Sequence, residues 1–415
     1  MASLKPVRGT QDVLPSESRQ LRRVERIAFD VAELYGYGEI TTPIFEFTEV
    51  FSRTLGDTSD IVTKEMYSFE DRGGDSITLR PEGTAGVARA VMSGGLQQDL
   101  PLKYFYRGPM FRYERPQKGR RRQFNQVGVE LIGVAQPLAD IEVIALANQF
   151  LGQLGVGDKV TLELNTLGDG ESRAAYRDLL VDYLQGRQDE LSGDSRERLQ
   201  RNPLRILDSK DDGDRGVIEN APVLTDCLND TSRAFFDSVR EGLEKLGVAH
   251  EINNRLVRGL DYYCHTAFEF TTDELGAQGT VLAGGRYDGL FQQMGGRQTP
   301  GTGWAAGVER LALLTGEADT AKRPVAVVPV GKDAEAAALD LTQNLRRAGI
   351  AVDLGYSGNM SKRMKRADKV NARWAVLLGD DELARGAATL RDMDSGAQSE
   401  VSLDQVAEHL TGAGE

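Results

Sequence analysis

The stretch Lys103-Tyr104-Phe105-Tyr106-Arg107-Gly108-Pro109-Met110-Phe111-Arg112-Tyr113-Glu114-Arg115, followed by Gln126-Val127-Gly128-Val129-Glu130-Leu131-Ile132-Gly133, is dense in aromatic and β-branched residues. Interrupted by glycine and proline, it reads as strands over residues 103–106, 110–115 and 126–133. Residues 66–69 and 76–79 read as a hairpin around Asp71-Arg72-Gly73-Gly74. Strands that succeed one another without intervening helices form an antiparallel sheet rather than βαβ units.

Working outward, Leu21, Val24, Ile27, Ala28, Val31 and Leu34 recur at helical spacing from an N-cap region at Pro15-Ser16 to Gly36-Tyr37-Gly38. Ile40-Thr41-Thr42-Pro43-Ile44-Phe45-Glu46 is β-rich but holds a proline, which suits an edge or interface strand. Residues 172–183, 194–201 and 234–246 read as charged helices, so residues 166–252 form a helical insertion. Strands resume at 253–258, 267–271 and 279–283, before Gly284-Gly285-Arg286-Tyr287-Asp288-Gly289. After Lys322-Arg323-Pro324, strands at 325–330, 351–354 and 374–378 alternate with helices. The expected organisation is an α+β domain over residues 1–322, on an antiparallel sheet flanked by helices, with an α/β domain at 323–415.

The chain has 415 residues, too many for one core, and is 40% hydrophobic and 27% charged. No apolar run is long enough to span a bilayer, and Met1 to Gln11 lacks a signal-peptide core, so a cytoplasmic location is expected. Cys227 and Cys264 form no CxxC pair, and His250, His265 and His409 are scattered, so no metal ligands are assigned. A net charge of -13 argues against indiscriminate nucleic-acid binding but leaves room for a local basic docking patch.

Two basic segments stand out against that background. Phe111 to Phe124 carries Arg112, Arg115, Lys118, Arg120, Arg121 and Arg122 against the single carboxylate Glu114. If the strand continues, alternation sets Arg112 and Glu114 on one face, a cation for phosphate beside an acceptor for an exocyclic amine. Phe124 offers a ring for a base, and Arg115 to Arg122 a basic loop for a phosphate backbone. In Leu256-Val257-Arg258-Gly259-Leu260-Asp261-Tyr262-Tyr263 one guanidinium sits among apolar and aromatic residues and demands an anionic partner. Thr78-Leu79-Arg80-Pro81-Glu82-Gly83-Thr84 places a carboxylate and a hydroxyl where they can converge on an ammonium, or simply start a helix.

Gly108 to Gln117 resembles motif 2 of the class II aminoacyl-tRNA synthetases in its histidyl form. Leu256 to Tyr263 and Leu282-Ala283-Gly284-Gly285-Arg286-Tyr287-Asp288 resemble the two histidine-specific peptides of that family. Gly301-Thr302-Gly303-Trp304-Ala305-Ala306-Gly307-Val308-Glu309-Arg310-Leu311 is similar to motif 3, and the stretch around Pro43 to motif 1. Five segments in order over nearly the whole chain make the resemblance specific.

The resemblance implies a catalytic domain at 1–322 and an anticodon-binding domain at 323–415. It implies histidine, ATP with Mg2+, and the tRNA for histidine as ligands, and a homodimer. Arg112 and Arg258 would hold the α-phosphate, Glu114 the adenine amine, and Phe124 and Arg310 the adenine faces. Glu82, Gly83, Thr84 and Gln126 would hold the α-amino end of histidine, and Glu130, Tyr262, Tyr263 and Tyr287 would surround its imidazole. A carboxylate and a phenol engage both ring nitrogens and reject apolar side chains. Arg120, Arg121 and Arg122, and Lys362, Arg366 and Lys369 in the last domain, would contact tRNA.

The family usually carries an aromatic residue where Arg121 stands and a histidine where Asn125 stands, in the loop that commonly reads an extra 5′ guanine of the tRNA. The alternatives are the regulatory paralogue of ATP phosphoribosyltransferase, an inactive tRNA-binding protein, and a class II synthetase for another amino acid. The regulatory paralogue typically lacks the last domain and the intact Arg258 peptide, both of which this chain carries.

Overall fold

Ten-residue strands β5 (Leu102–Phe111) and β6 (Gln123–Ile132) form the longest antiparallel ladder among the described residues. They lie in an eight-stranded sheet that also holds β1 (Gly38–Glu39), β7 (Thr161–Thr166), β8 (Glu251–Ile252), β9 (Cys264–Thr271), β10 (Leu282–Arg286) and β11 (Gly301–Gly307). The order is β1-β5-β6-β11-β10-β9-β7-β8. The six inner strands pair antiparallel, and the two-residue edges β1 and β8 pair parallel. This computed structural model describes residues 4–56, 59, 61–209, 211–257, 262–276, 279–316 and 322–412. The chain divides into two units, Met1–Ala318 and Asp319–Glu415.

One face of the sheet is covered by the helices Pro15–Leu34, Pro137–Gln153 and Asp230–Lys245. Leu21, Val24, Ala28 and Val31 on the first, Val143 and Phe150 on the second, and Phe236, Val239 and Leu243 on the third enter one core with Phe105, Val129 and Trp304. The first helix starts with Pro15 at its first turn and Leu14 as N-cap, without a side-chain cap, so Pro15-Ser16 acts through the fixed proline φ. Helix Asp230–Lys245 belongs to this main core. The helices Gly170–Gln185, Gly193–Arg201 and Asp212–Ile218 instead gather Tyr176, Leu180, Leu184, Leu199 and Ile206 into a core of their own.

Three strand expectations are corrected. Residues 112–115 leave the ladder after Phe111, because the Arg112 and Tyr113 amides bond to the Arg122 and Glu65 carbonyls. Residues 253–257 form a turn, in which Asn253 Oδ1 accepts from the Arg255 amide. Of the Pro43 stretch only Phe45 and Glu46 enter a strand, β2 (Phe45–Phe47), since proline cannot donate to a ladder.

Strand β2 pairs with β4 (Ser76–Leu79), which pairs with β3 (Tyr67–Glu70), making a small antiparallel sheet in the order β2-β4-β3. Phe47 and Phe69 both face Ile77 across it, and Phe45 shares the face of Phe47. These three phenylalanines are 57%, 59% and 49% exposed for Phe45, Phe47 and Phe69, an apolar face without cover. Glu46 and Thr78 on the opposite face are buried, with Arg89 donating to Glu46 at 3.1 Å.

In the second unit, β12 (Val325–Val330), β13 (Val352–Leu354) and β14 (Trp374–Gly379) are parallel, while β15 (Ala387–Asp392) and β16 (Gln398–Ser402) extend the sheet antiparallel in the order β13-β12-β14-β15-β16. Helix Asp333–Arg347 packs Ala334, Ala338 and Leu345 against Val327 and Val376. No described helix is long and apolar enough to cross a membrane.

Candidate active site

A cavity of about 350 Å³ opens on the other face of the large sheet. Glu82, Thr84, Arg112, Glu114, Arg120, Arg121, Phe124, Gln126, Tyr262, Tyr263 and Arg310 line it. Glu130 and Tyr287 are fully buried beside it, and Gly83 starts the helix Thr84–Ser93 at its wall. Arg258 lies outside the described residues.

The phosphate-binding candidates come from the end of β5 and the loop after it. Arg112 Nε donates to the Pro81 carbonyl at 2.9 Å, and its guanidinium stands 5.4 Å from the Phe124 ring centroid. Its Nη1 is 3.8 Å from Glu114 Oε1, so the pair adjoin, although through a turn and not through strand alternation. Glu114 also accepts from Arg120 Nη1 at 2.5 Å. Arg310 heads the helix Val308–Leu314, and burial followed by the neighbouring Arg120 charge lowers its pKa.

The three loop arginines all have partners within the chain. Arg120 meets Glu114, and Arg121 Nη2 meets Glu17 Oε1 on the first helix at 2.5 Å. Arg122 lies 3.6 Å from the Tyr113 ring centroid, and its amide bonds to the Gly9 carbonyl. Asn125 donates its side-chain amide to Glu309 at 2.9 Å and its backbone N–H to the same carboxylate at 3.0 Å. The positions where the resemblance shows departures are therefore tied to the first helix and to the helix of Arg310.

The candidates for holding the amino acid include two buried carboxylates. Glu82 accepts the Thr84 and Ala85 amides at 2.8 Å, so it caps the helix that Thr84 opens. Burial raises its pKa, against those hydrogen bonds and Arg112. Glu130, towards the C-terminal end of β6, accepts from the Tyr287 hydroxyl at 2.5 Å. Burial pushes it up to about 8, with the nearby Thr84 side chain and the Tyr287 hydroxyl pulling against the shift. Tyr262 packs on Tyr263 at 4.6 Å between centroids and on Tyr287 at 5.9 Å.

The sequence reading missed the support under Tyr287. Arg286 is wholly buried, paired with the equally buried Asp140 and with Asp288 at 3.1 Å, and donates to the Val134 carbonyl at 2.9 Å. The signal was present, since an arginine inside the apolar strand Leu282–Arg286 requires a buried acceptor.

In the second unit, Asn359 caps the helix Met360–Lys369, which exposes Lys362, Arg366 and Lys369. Arg366 forks onto Asp353 at 2.7 and 2.8 Å. Arg373 lies beyond this helix, after Asn371 at φ 53, and pairs with Asp392 at 2.8 Å. On the same helix Ala367 is buried and Met364 packs beside it, while Met360 is exposed.

Comparison with known proteins agrees with this architecture. The family profile described as histidyl-tRNA synthetase matches residues 9–311, and that of an anticodon binding domain matches residues 324–412. A histidine–tRNA ligase of Rhodospirillum rubrum is 64% identical over 411 residues, covering 99% of either chain. One of Gluconacetobacter diazotrophicus is 56% identical, also covering 99% of either chain. The apo histidyl-tRNA synthetase structure of S. aureus superposes with a TM-score of 0.82 at 36% identity, covering 98% of this chain and 99% of that one. With both profiles matched and relatives of this identity along nearly its whole length, the chain belongs to the histidyl-tRNA synthetase family.

Proposed function

We propose that this chain ligates L-histidine to its cognate tRNA through a histidyl-adenylate, releasing pyrophosphate and AMP. The observation that carries the reading is one cavity lined by Arg112, Phe124 and Arg310 together with Glu82, Thr84 and Gln126. Cations with an aromatic ring suit a nucleotide, and a carboxylate with hydroxyl and amide groups suits an amino acid's ammonium.

In the first step a histidine carboxylate oxygen attacks the α-phosphorus of ATP, and the bond to pyrophosphate breaks. Arg112 and Arg258 neutralise charge on that phosphorus, Glu114 accepts from the adenine amine, and Phe124 and Arg310 hold the base. The Glu114–Arg120 pair opens as the nucleotide enters. Glu82, Thr84 and Gln126 orient the ammonium beside Gly83, while Glu130 and Tyr263, backed by Tyr262 and Tyr287, take the two imidazole nitrogens. In the second step a hydroxyl of the tRNA's terminal ribose attacks the histidyl carbonyl, and AMP leaves. Positioning and charge neutralisation carry both steps.

Magnesium would neutralise the phosphates of ATP. Among the described residues no group of three or more metal-ligating side chains could hold an ion. Such an ion would be held largely by phosphate and water.

Residues 1–322 act as the catalytic domain with the insertion at 166–252, and residues 323–415 read the anticodon arm through Lys362, Arg366 and Lys369. Arg120, Arg121 and Arg122 face the acceptor end. The working protein is a cytoplasmic homodimer joined at the Phe45, Phe47 and Phe69 face. The test is charging of a histidine tRNA transcript with labelled histidine. A folded protein that binds ATP but leaves the tRNA uncharged would favour the regulatory alternative.

A further inference from the structure

Tyr106, on β5, is buried, and its ring occupies the space above Gly83 and Gly128. A Cβ on either glycine would collide with that ring, so both backbones are shaped around it. Register sets Tyr106 opposite Gly128, and Gln126 and Glu130 lie two residues to either side on the same face of β6.

Three buried polar atoms in this one patch lack partners: the Tyr106 hydroxyl, Gln126 Oε1 and Glu130 Oε1. The Tyr106 hydroxyl lies close enough to Thr84 and Glu130 to influence the Glu130 carboxyl, but short of good hydrogen-bond geometry to either. A phenylalanine would fill the same space without burying an unsatisfied hydroxyl, which costs folding free energy. In the empty protein the hydroxyl has only these imperfect contacts with Thr84 and Glu130, which a plain ring would give up at little cost. Its use belongs to the occupied site.

We propose that Tyr106 is a positioning residue for amino-acid selection. Its hydroxyl completes its hydrogen bonding only when histidine fills the pocket, where it holds Thr84 and the open oxygen of Glu130 against the substrate. The inference rests on the histidine-ligating reading above and adds a residue which that reading does not use.

The experiment compares wild type with Tyr106→Phe in histidine-dependent exchange of labelled pyrophosphate into ATP, together with thermal melting of both. The expected result is a KM for histidine raised about tenfold, as for loss of one hydrogen bond to a charged network, with the KM for ATP within twofold. The empty variant melts at or above the wild-type temperature, because an unsatisfied hydroxyl has been removed. A histidine KM within twofold of wild type would overturn the role of Tyr106 alone. A variant that melts clearly lower would show the hydroxyl to be structural and overturn it too. Wild type without any histidine-dependent exchange would overturn the functional reading and this inference together.

Discussion

Tyr287 donates to one oxygen of Glu130 at 2.5 Å while the other oxygen of that carboxylate, Oε1, is buried without a partner. A half-satisfied carboxylate in a fully buried position is costly unless a ligand completes it. Tyr106, Tyr287 and the glycines of the neighbouring strands around it leave a donor from a small polar molecule as the missing group.

Glu130→Gln should therefore raise the KM for histidine about tenfold or more and leave that for ATP little changed, because an amide is the weaker acceptor. Titration with each ligand checks it, and equal losses would make Glu130 structural. The same change should alter pH dependence. Burial lifts Glu130 to about 8, so between its unfolded value and that pH the folded chain keeps a proton the unfolded chain has lost. Stability then falls as pH rises through that window. The melting temperature of the variant relative to wild type should be higher at about pH 9 than at about pH 5.

A different sign is expected in the insertion. Asp214 is buried and accepts from the Ser192 amide at 2.7 Å, the Ser195 hydroxyl at 2.6 Å and the Ser209 hydroxyl at 2.5 Å. Burial pushes its carboxyl up, but these bonds outweigh burial and hold it below the usual range. Its stabilisation is present above the unfolded pKa and is lost as pH falls through the folded one. Asp214→Ala should destabilise by about 2–4 kcal/mol at neutral pH, with the loss shrinking in acid; hydrogen exchange of the helix Gly170–Gln185 would locate it.

The bare face of Phe45, Phe47 and Phe69 predicts association. Light scattering at micromolar concentration should give twice the chain mass, and Phe47→Asp should shift it toward the monomer. A monomeric wild type would contradict the proposed interface.

The Arg121–Glu17 pair bears on tRNA. Arg121→Tyr should weaken charging yet leave pyrophosphate exchange nearly intact, and should lower the slope of log affinity against log salt by about one. Charging should depend less on an extra 5′ guanine than is usual for the family, since Arg121 and Asn125 are held by Glu17 and Glu309. Transcripts with and without that nucleotide decide the matter.

Much of this was legible in the chain. The β5–β6 pairing follows from alternation and turn residues, and the α/β unit from its apolar strands between helices. What was not legible depends on tertiary partners. Arg112 and Glu114 adjoin through a turn closed by the Arg122 and Glu65 carbonyls, which no local period encodes. Helix Asp230–Lys245 has the charged look of its predecessors, but Phe236, Val239 and Leu243 send it to the main core. Tyr106 read only as a strand aromatic, because its value lies in two distant glycines that make room for it.

The central claim is that this cavity activates histidine with ATP. Exchange of labelled pyrophosphate into ATP, screened across all the amino acids, tests it most directly. The account predicts exchange with histidine alone, reduced about a hundredfold or more in a folded Arg258→Ala variant. Exchange driven by another amino acid, or an Arg258→Ala variant within tenfold of wild type, would contradict it.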